Sequence, residues 1–181
     1  PEGRATGVLF GDGSGAVVLQ ESDGDSQILS THLFADGDGV EHLRAKAPGS
    51  VFNPLRIDAK IVEDRHHLPH QNGREVFKNA VKRMPEAINV ALEHNNLSVD
   101  DVSLVVAHQA NRRILEACAE RMKLPMETMY INIQKYGNTT AATIPIALCE
   151  AIEEGKFTKG DNIILTAFGA GYTWASAAIK W

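Results

Sequence analysis

Residues 162–180 read NIILTAFGAGYTWASAAIK and show the clearest strand pattern in the chain. Two runs rich in β-branched, aromatic and small residues, 162–168 and 172–180, lie on either side of Gly169-Ala170-Gly171. Apolar runs of this length that are separated by a glycine-bearing bend predict two strands paired as a hairpin. We therefore expect the chain to end in two adjacent strands of a sheet.

Upstream of this hairpin, the hydrophobic pattern alternates between helix and strand. An apolar stripe with helical spacing starts at Glu75, and Pro85 within it predicts a kink or the start of a second segment. Ser98 and Asp101 form a capping-box pattern ahead of the apolar run 104–107. Such alternation predicts an α/β domain with a mixed sheet. The other predicted elements are a hairpin of strands 7–10 and 16–21, strands at 28–35 and 128–132, an extended piece at 57–63, and helices at 114–122 and 141–154.

The helix predicted at 141–154 has almost no polar face through its first three turns. A helix that is apolar all round is normally buried on every side. A domain of 181 residues with a single sheet cannot easily bury a helix in that way. We therefore expect a further layer of protein to cover it.

The composition is typical of a globular domain, with 44% hydrophobic and 23% charged residues. No apolar run approaches the roughly 20 residues that span a bilayer. The net charge of −5 and the lack of a dense Lys/Arg block argue against nucleic acid as the main partner. Two cysteines are too few for a disulfide scaffold and favour a reducing compartment. Because the sequence starts at Pro1 and runs directly into strand-like residues, we expect a piece of a longer protein.

Three segments place polar or glycine residues where strands and helices meet. His108 follows the buried run 104–107, Asn138 precedes the apolar helix, and Gly169-Ala170-Gly171 separates the last two strands. Ligands of open α/β sheets gather at the carboxyl ends of the strands. We therefore expect these three segments to converge on one site.

An imidazole and a carboxamide can both donate hydrogen bonds to one carbonyl oxygen. Together they would stabilise an enolate that develops on a thioester, and neither group has to be ionised. A nucleophile is not evident, because Cys118 and Cys149 lie on apolar faces of predicted helices. We expect both cysteines to serve packing.

Five segments resemble motifs of the beta-ketoacyl-acyl-carrier-protein synthase III family, in the same order. The resemblance implies a thiolase-like fold, of which residues 1–181 form one half, the C-terminal domain, with a mixed five-stranded sheet and helices on both faces. It also implies a Cys-His-Asn catalytic set, in which His108 and Asn138 supply two members. The cysteine would lie in an N-terminal half that is absent from this chain. The segments are LFGDGSGAVVL (9–19), NGREVFKNAV (72–81), HQANRRI (108–114), KYGNTTAATIPIAL (135–148) and AFGAGYTWASAAIKW (167–181).

The activity that this resemblance implies is a decarboxylative condensation. In the family, the cysteine takes an acyl group from coenzyme A, and the His and Asn bind the thioester carbonyl of malonyl-acyl carrier protein. Carbon dioxide leaves, and the carbanion attacks the acyl-cysteine. The resemblance thus implies acyl-CoA and malonyl-acyl carrier protein as substrates, no separate cofactor, and a cytoplasmic homodimer that initiates fatty acid synthesis. The chain alone would be inactive.

The resemblance assigns further site residues. Backbone N–H groups of Gly169, Ala170 and Gly171 would face the oxyanion, and Ala170 stands where glycine is common, which raises the question of a positive φ there. Arg74 replaces what is often a neutral amide, so its role stays open. The coenzyme A and pantetheine path would be lined by Gly73, Arg74, Phe77, Asn111 and Phe168, and the carrier protein would dock on Arg112 and Arg113.

Two other motifs in the sequence resemble ligand sites. The glycine-rich stretch 11–15 lacks the Lys-Ser/Thr of a phosphate loop, so a hairpin turn is favoured. His66, His67 and His70 could bind metal adventitiously, but we expect no metal site. Two alternatives stay open: an enzyme that uses the same residues on other thioesters, such as a hydroxymethylglutaryl-CoA synthase or a polyketide or quinolone synthase, and a non-catalytic module that binds coenzyme A or carrier protein.

Overall fold

A mixed β-sheet forms the centre of the chain in the computed structural model, which describes residues 7–22, 24, 26–52, 54 and 56–181. Its strands are β1 (Gln27–Ala35), β4 (Leu104–Ala107), β5 (Asn162–Gly169) and β6 (Thr173–Lys180), in the order β1-β6-β5-β4. β6 is antiparallel to both β1 and β5, whereas β4 runs parallel to β5. The closing hairpin is confirmed, with Asn162 paired to Lys180 and Gly169 paired to Thr173.

The predicted count of five strands is wrong for the part of the chain that the structure describes. The strand expected at 128–132 is reduced to one parallel bridge between Val105 and Met129, next to a hydrogen bond from Tyr130 N to Val105 O of 3.0 Å. A 3-10 turn, Met126–Thr128, ends just before this point, and the short helix α4 (Ile133–Tyr136) begins just after it. Few residues between this turn and α4 remain to extend the sheet.

A smaller ladder and a short helix lie between β1 and the first long helix. β2 (Leu43–Ala45) pairs antiparallel with β3 (Pro69–Gln71). The extended piece predicted at 57–63 is wrong, because Ala59–Glu63 forms the helix α1. The carboxylate of Asp58 accepts a hydrogen bond from Ile61 N at 2.7 Å, and this cap stabilises the first turn.

Long helices cover both faces of the sheet, as the resemblance implied. α2 (Gly73–His94) and α3 (Arg112–Met122) pack on one face, and α5 (Thr143–Glu153) packs on the other. β4 serves both cores, because Val105 and Ala107 join the first cluster while Leu104 and Val106 join the second. α2 runs unbroken through Pro85, so the second segment predicted there does not form. The capping box of Ser98 and Asp101 is confirmed.

The hairpin predicted for residues 7–21 is wrong. Residues 11–22 adopt no regular strand, and Phe10 forms a parallel bridge with Asn138. Gly11, Gly13 and Gly15 approach the residues around Asn138 and the start of α5 so closely that a Cβ at Gly15 would clash with Pro145. The glycines thus allow this segment to approach the backbone around Asn138 and the start of α5 closely, and they do not form the predicted hairpin turn.

Apolar side chains remain exposed beside α5. Thr143, Ala147 and Ala151 face the protein interior, whereas Ile152 is 44% exposed. In the neighbouring segment, Val18 is 90% exposed. One side of the apolar helix is therefore buried in this chain and another is not.

No helix in the described ranges has the length and apolar character that crossing a membrane requires.

Candidate active site

His108 is the first residue after β4, and the strand fixes its position. All four residues of β4 are buried, and the backbone N–H of His108 donates to Thr166 O on β5 at 2.8 Å. The imidazole Nδ1 lies 2.6 Å from the hydroxyl oxygen of Thr143 at the start of α5. Burial lowers the pKa of His108 below its usual 6.5, because the interior disfavours the imidazolium. The ring is therefore neutral near pH 7.

Gln109 anchors the loop that carries His108. Its side chain is almost fully buried, its Nε2 donates to the carbonyls of Ala107 and Tyr130, and its Oε1 accepts from Asn132 N. This buried amide is fully hydrogen-bonded and ties the end of β4 to the neighbouring segment. This role of Gln109 was not predicted from the sequence, although a glutamine close after a buried strand is a signal for such an anchor.

Asn138 lies in the loop before α5, and both its backbone and its side chain are hydrogen-bonded to other residues. Its N–H donates to Leu9 O at 2.8 Å, and its carbonyl accepts from Gly11 N at 3.1 Å. The side-chain Oδ1 accepts from Thr140 N at 2.9 Å, a local side-chain-to-backbone hydrogen bond at the entry to the 3-10 turn Thr140–Ala142. With Oδ1 engaged, the Nδ2 amide has no partner among the described residues and is free to donate.

The bend between β5 and β6 resolves the question about Ala170. Gly171 has a φ of +134°, whereas Ala170 is not among the residues with positive φ. The conformation that favours glycine thus falls on Gly171, and alanine at 170 is compatible with the bend. The Thr173 hydroxyl donates to Ala170 O at 3.0 Å and closes the turn.

One large pocket brings most of the predicted site residues together. It has a volume of about 890 Å³ and is lined by both His108 and Asn138. The predicted residues that line it with them are Gly73, Phe77, Asn111, Phe168, Gly169 and Ala170. The convergence of the three segments expected from the sequence is therefore observed.

The predicted arginines lie outside this pocket, as does Gly171. Arg112 Nε donates to Glu116 Oε1 at 2.8 Å within α3. Arg113 is exposed and makes no ion pair among the described residues. Arg74 is exposed in the first turn of α2. The Asn111 side chain, besides lining the pocket, caps α3 by accepting from Arg113 N at 2.9 Å.

Neither cysteine lines the pocket. Cys118 is buried in α3, and burial raises the pKa of its thiol to about 12, so it is a poor nucleophile. The packing role predicted for Cys149 is wrong in this chain, because Cys149 is exposed on α5 with its Sγ 3.7 Å from Glu153 Oε1. It lies on the side of α5 that the sheet does not cover.

Two family models match the sequence. The model described as 3-Oxoacyl-[acyl-carrier-protein (ACP)] synthase III C terminal matches residues 92–181, and the model described as 3-Oxoacyl-[acyl-carrier-protein (ACP)] synthase III matches residues 1–37. The chain is also similar to curated proteins named beta-ketoacyl-[acyl-carrier-protein] synthase III. It is 48% identical over 178 residues to the protein of Roseiflexus sp. (strain RS-1) and 46% identical over 178 residues to that of Clostridioides difficile (strain 630). Each match covers 98% of this chain and 53% of the relative, so the chain spans about half the length of these relatives.

Solved structures give the same result for the fold. The 3-oxoacyl-[acyl-carrier-protein] synthase III of Aquifex aeolicus VF5 matches with a TM-score of 0.86 and 44% identity, over 98% of this chain and 52% of that one. The synthase III of Thermus thermophilus matches with a TM-score of 0.79 and 39% identity, over 98% and 53%. The priming beta-ketosynthase of the R1128 polyketide pathway matches with a TM-score of 0.69 and 28% identity, over 84% and 44%. The fold is thus the thiolase-like fold of these enzymes, and the chain belongs to the beta-ketoacyl-acyl-carrier-protein synthase III family.

Proposed function

We propose that the protein containing this chain condenses an acyl-CoA primer with malonyl-acyl carrier protein, with loss of carbon dioxide, to initiate fatty acid synthesis. The observation that carries the proposal is that His108 and Asn138 line one pocket, and each has a polar side-chain atom that is not hydrogen-bonded to any of the described residues. The names of the relatives support the same reaction class.

In this proposal, His108 and Asn138 stabilise the negative charge that develops on the malonyl thioester oxygen as carbon dioxide leaves. The pocket favours this chemistry because apolar side chains such as Phe34, Met84 and Trp174 line much of it. Hydrogen bonds to a developing oxyanion are worth more where water is excluded. The bend at Gly169 and Ala170 lies in the same pocket and would offer a backbone N–H to the second oxyanion, on the acyl-cysteine.

A second polypeptide segment would complete the site. We propose that an N-terminal half supplies the nucleophilic cysteine and covers the exposed apolar side chains around Val18 and Ile152. Two facts support this: the chain spans about half of its relatives, and residues 1–37 match a different family model from residues 92–181. The chain is then the C-terminal domain of a cytoplasmic homodimer, and it is inactive alone.

The pocket also fits the pantetheine arm shared by coenzyme A and the carrier protein. Gly73, Phe77, Asn111 and Phe168 line it, and the substrates carry the reacting thioester themselves, so no separate cofactor is proposed. Arg113 is proposed as the docking residue for the acidic carrier protein, because it is exposed and has no ion-pair partner among the described residues. Arg112, which pairs with Glu116, is the weaker candidate of the two.

A related condensation on a polyketide pathway is the second candidate, favoured by the match to a priming ketosynthase. One experiment separates the two. The whole protein is supplied with malonyl-carrier protein from fatty acid synthesis and with a panel of acyl-CoA primers. A 3-ketoacyl product on that carrier supports the first proposal. Turnover only with a different carrier protein supports the second, and no condensation with any pair contradicts both.

A mass measurement tests whether the chain needs its second half. The isolated chain and the whole protein are each incubated with acetyl-CoA and their intact masses compared. An acetyl adduct on the whole protein, with none on the chain, is the expected result. An adduct on the chain itself would place the nucleophile among its own residues and would overturn the proposed division.

A further inference from the structure

The carboxylate of Glu150, on α5, accepts three hydrogen bonds from the segment that leads to Asn138. Its Oε1 lies 2.6 Å from the hydroxyl oxygen of Tyr136 and 3.0 Å from Nζ of Lys135. Its Oε2 accepts from Asn132 Nδ2 at 2.7 Å. One carboxylate thus contacts α4 at both ends, immediately before the loop that carries Asn138.

Glu150 is charged and largely shielded from solvent. Its side chain is only 16% exposed. Partial burial alone would raise the pKa of Glu150, but the hydrogen bonds from Tyr136, Asn132 and Lys135 outweigh that effect and hold the pKa below its usual value of 4.5. The carboxylate is therefore ionised near pH 7, and it can accept from all three donors. Hydrogen bonds to an ionised acceptor are stronger than those between neutral groups.

The same network reaches the loop of His108 through Asn132. Asn132 is 2% exposed, and its backbone N–H donates to Gln109 Oε1 at 3.1 Å while its side chain donates to Glu150. Gln109 directly follows His108 in the sequence. Asn132 and Glu150 therefore connect the loop of His108 to the segment that ends at Asn138.

His108 and Asn138 depend on this network unequally. His108 is attached to the sheet without it, because the backbone N–H of His108 donates to a carbonyl of β5 at 2.8 Å. The backbone of Asn138 bonds instead to Leu9 and Gly11, which lie outside the four-stranded sheet. Loss of the Glu150 carboxylate should therefore displace Asn138 and leave His108 in place.

We propose that Glu150 is a positioning residue that fixes the amide of Asn138 relative to the imidazole of His108, so that both side chains reach one thioester oxygen. The proposal rests on the condensation proposed above for the roles of Asn138 and His108. Glu150 lies outside the pocket, so it acts through the loop and not on the substrate. A misplacement of about 1 Å in a catalytic site can lower the rate about 10²-fold, so the distance between the two side chains matters.

Release of carbon dioxide from malonyl-carrier protein by the whole protein tests the effect on catalysis. Glu150→Gln keeps the shape of the side chain but turns an N–H group toward one of the donors, so kcat should fall roughly 10–100-fold with little change in KM. Glu154→Gln is the matched control, because it removes a neighbouring charge that also pairs with Lys135, at 3.7 Å, and leaves the bonds of Asn132 and Tyr136 intact. Equal rates for the two variants would overturn the proposal.

A double-mutant cycle tests whether Glu150 acts through Asn138. If Glu150 only positions Asn138, Glu150→Gln should cause little further loss of carbon dioxide release once Asn138→Ala is present. Losses that add in the double variant would show a general effect on the fold and would overturn the proposal. If Glu150→Gln does not fold, Tyr136→Phe takes its place in the cycle, because it removes a single hydrogen bond of the network.

Hydrogen exchange of the whole protein, followed by mass spectrometry, gives a readout that needs no turnover. The backbone N–H groups of Gly137 and Asn138 each donate to a backbone carbonyl at 2.8 Å. Both should exchange faster in Glu150→Gln than in Glu154→Gln, and equal exchange would overturn the proposal. If the wild type released no carbon dioxide, the proposed function would be contradicted, whereas faster exchange would still support the role of Glu150 in holding the loop.

Discussion

Asp36 and Tyr172 exchange two backbone hydrogen bonds, 2.6 Å from Tyr172 N to Asp36 O and 2.8 Å from Asp36 N to Tyr172 O. This pair joins the residue after β1 to the bend that precedes β6. Arg83 of α2 stabilises this connection. Its Nη2 lies 3.4 Å from Asp36 Oδ2, and its guanidinium carbon lies 4.7 Å from the centre of the Trp174 ring. The bend that borders the pocket is therefore held from two sides before any ligand arrives.

The position of Gly171 in this bend gives a first prediction. Its φ of +134° is a conformation that side chains rarely adopt, so Gly171→Ala should lower the free energy of unfolding by about 1–3 kcal/mol. Gly169→Ala is the matched control, because its Cβ would meet only Thr173 Oγ1 at 3.7 Å. Urea unfolding of both variants measures the difference. Equal losses of stability would show that the conformation of Gly171 is not the cause.

The hydrophobic pattern along the sequence was sufficient to predict those helices and strands whose packing partners lie in this chain. The closing hairpin, β4, α2 and α3 bury their apolar residues against one another, so periodicity and turn residues located them. Pro85 does not start a second segment, because α2 continues through it where the proline is fully buried. The short helix α1 was missed because five residues are too few to show a helical period, and the cap at Asp58 is the local feature that marks its start.

The first segment could not be predicted in this way. Alternating glycines at 11, 13 and 15 have the composition of a turn, yet they allow close packing against Tyr136, Ile146 and Pro145, more than 100 residues away. For the site, His108 and Asn138 were found from their places at element ends. Gln109 and Thr143 were not assigned, because their roles depend on hydrogen bonds between segments that are distant in sequence.

Asn138→Asp tests the amide donor with little change in shape. Its carboxylate can still accept from Thr140 N, but it cannot donate to a thioester oxygen. Malonyl decarboxylation by the whole protein should fall about 10²–10³-fold, the usual cost of one oxyanion donor. Transfer of acetyl from coenzyme A to the cysteine should stay near the wild-type rate, which shows that the site is still folded. Decarboxylation at the wild-type rate would remove Asn138 from the catalytic set.

Arg113→Glu tests the docking surface. A charge on the rim of an interface mainly changes the association rate, so kcat/KM should fall roughly tenfold for carrier-protein substrates and little for coenzyme A thioesters. Arg121→Glu makes the same charge change at the other end of α3 and serves as the control. Steady-state kinetics with both substrate types, at low and high salt, measure the effect. Equal losses for the two substrate types would exclude Arg113 from docking.

The lowered pKa of His108 predicts a dependence of stability on pH. The unfolded chain binds a proton at His108 more readily than the folded protein does, so protonation favours unfolding. The free energy of unfolding should be unaffected by this group above pH 6.5 and should decrease as the pH falls below that value. Urea unfolding from pH 7.5 to 5 measures it, with His108→Gln as the comparison. If the wild type and His108→Gln lost stability equally as the pH falls, burial of His108 would not be the cause of the loss.

We propose that His108 serves decarboxylation and not the loading of the nucleophile. To test this, the whole protein with His108→Ala is assayed for two separate reactions, transfer of acetyl from acetyl-CoA to the cysteine and release of carbon dioxide from malonyl-carrier protein. We expect acetyl transfer to continue at close to the wild-type rate while carbon dioxide release is abolished. Loss of acetyl transfer with carbon dioxide release unchanged would exclude this role for His108.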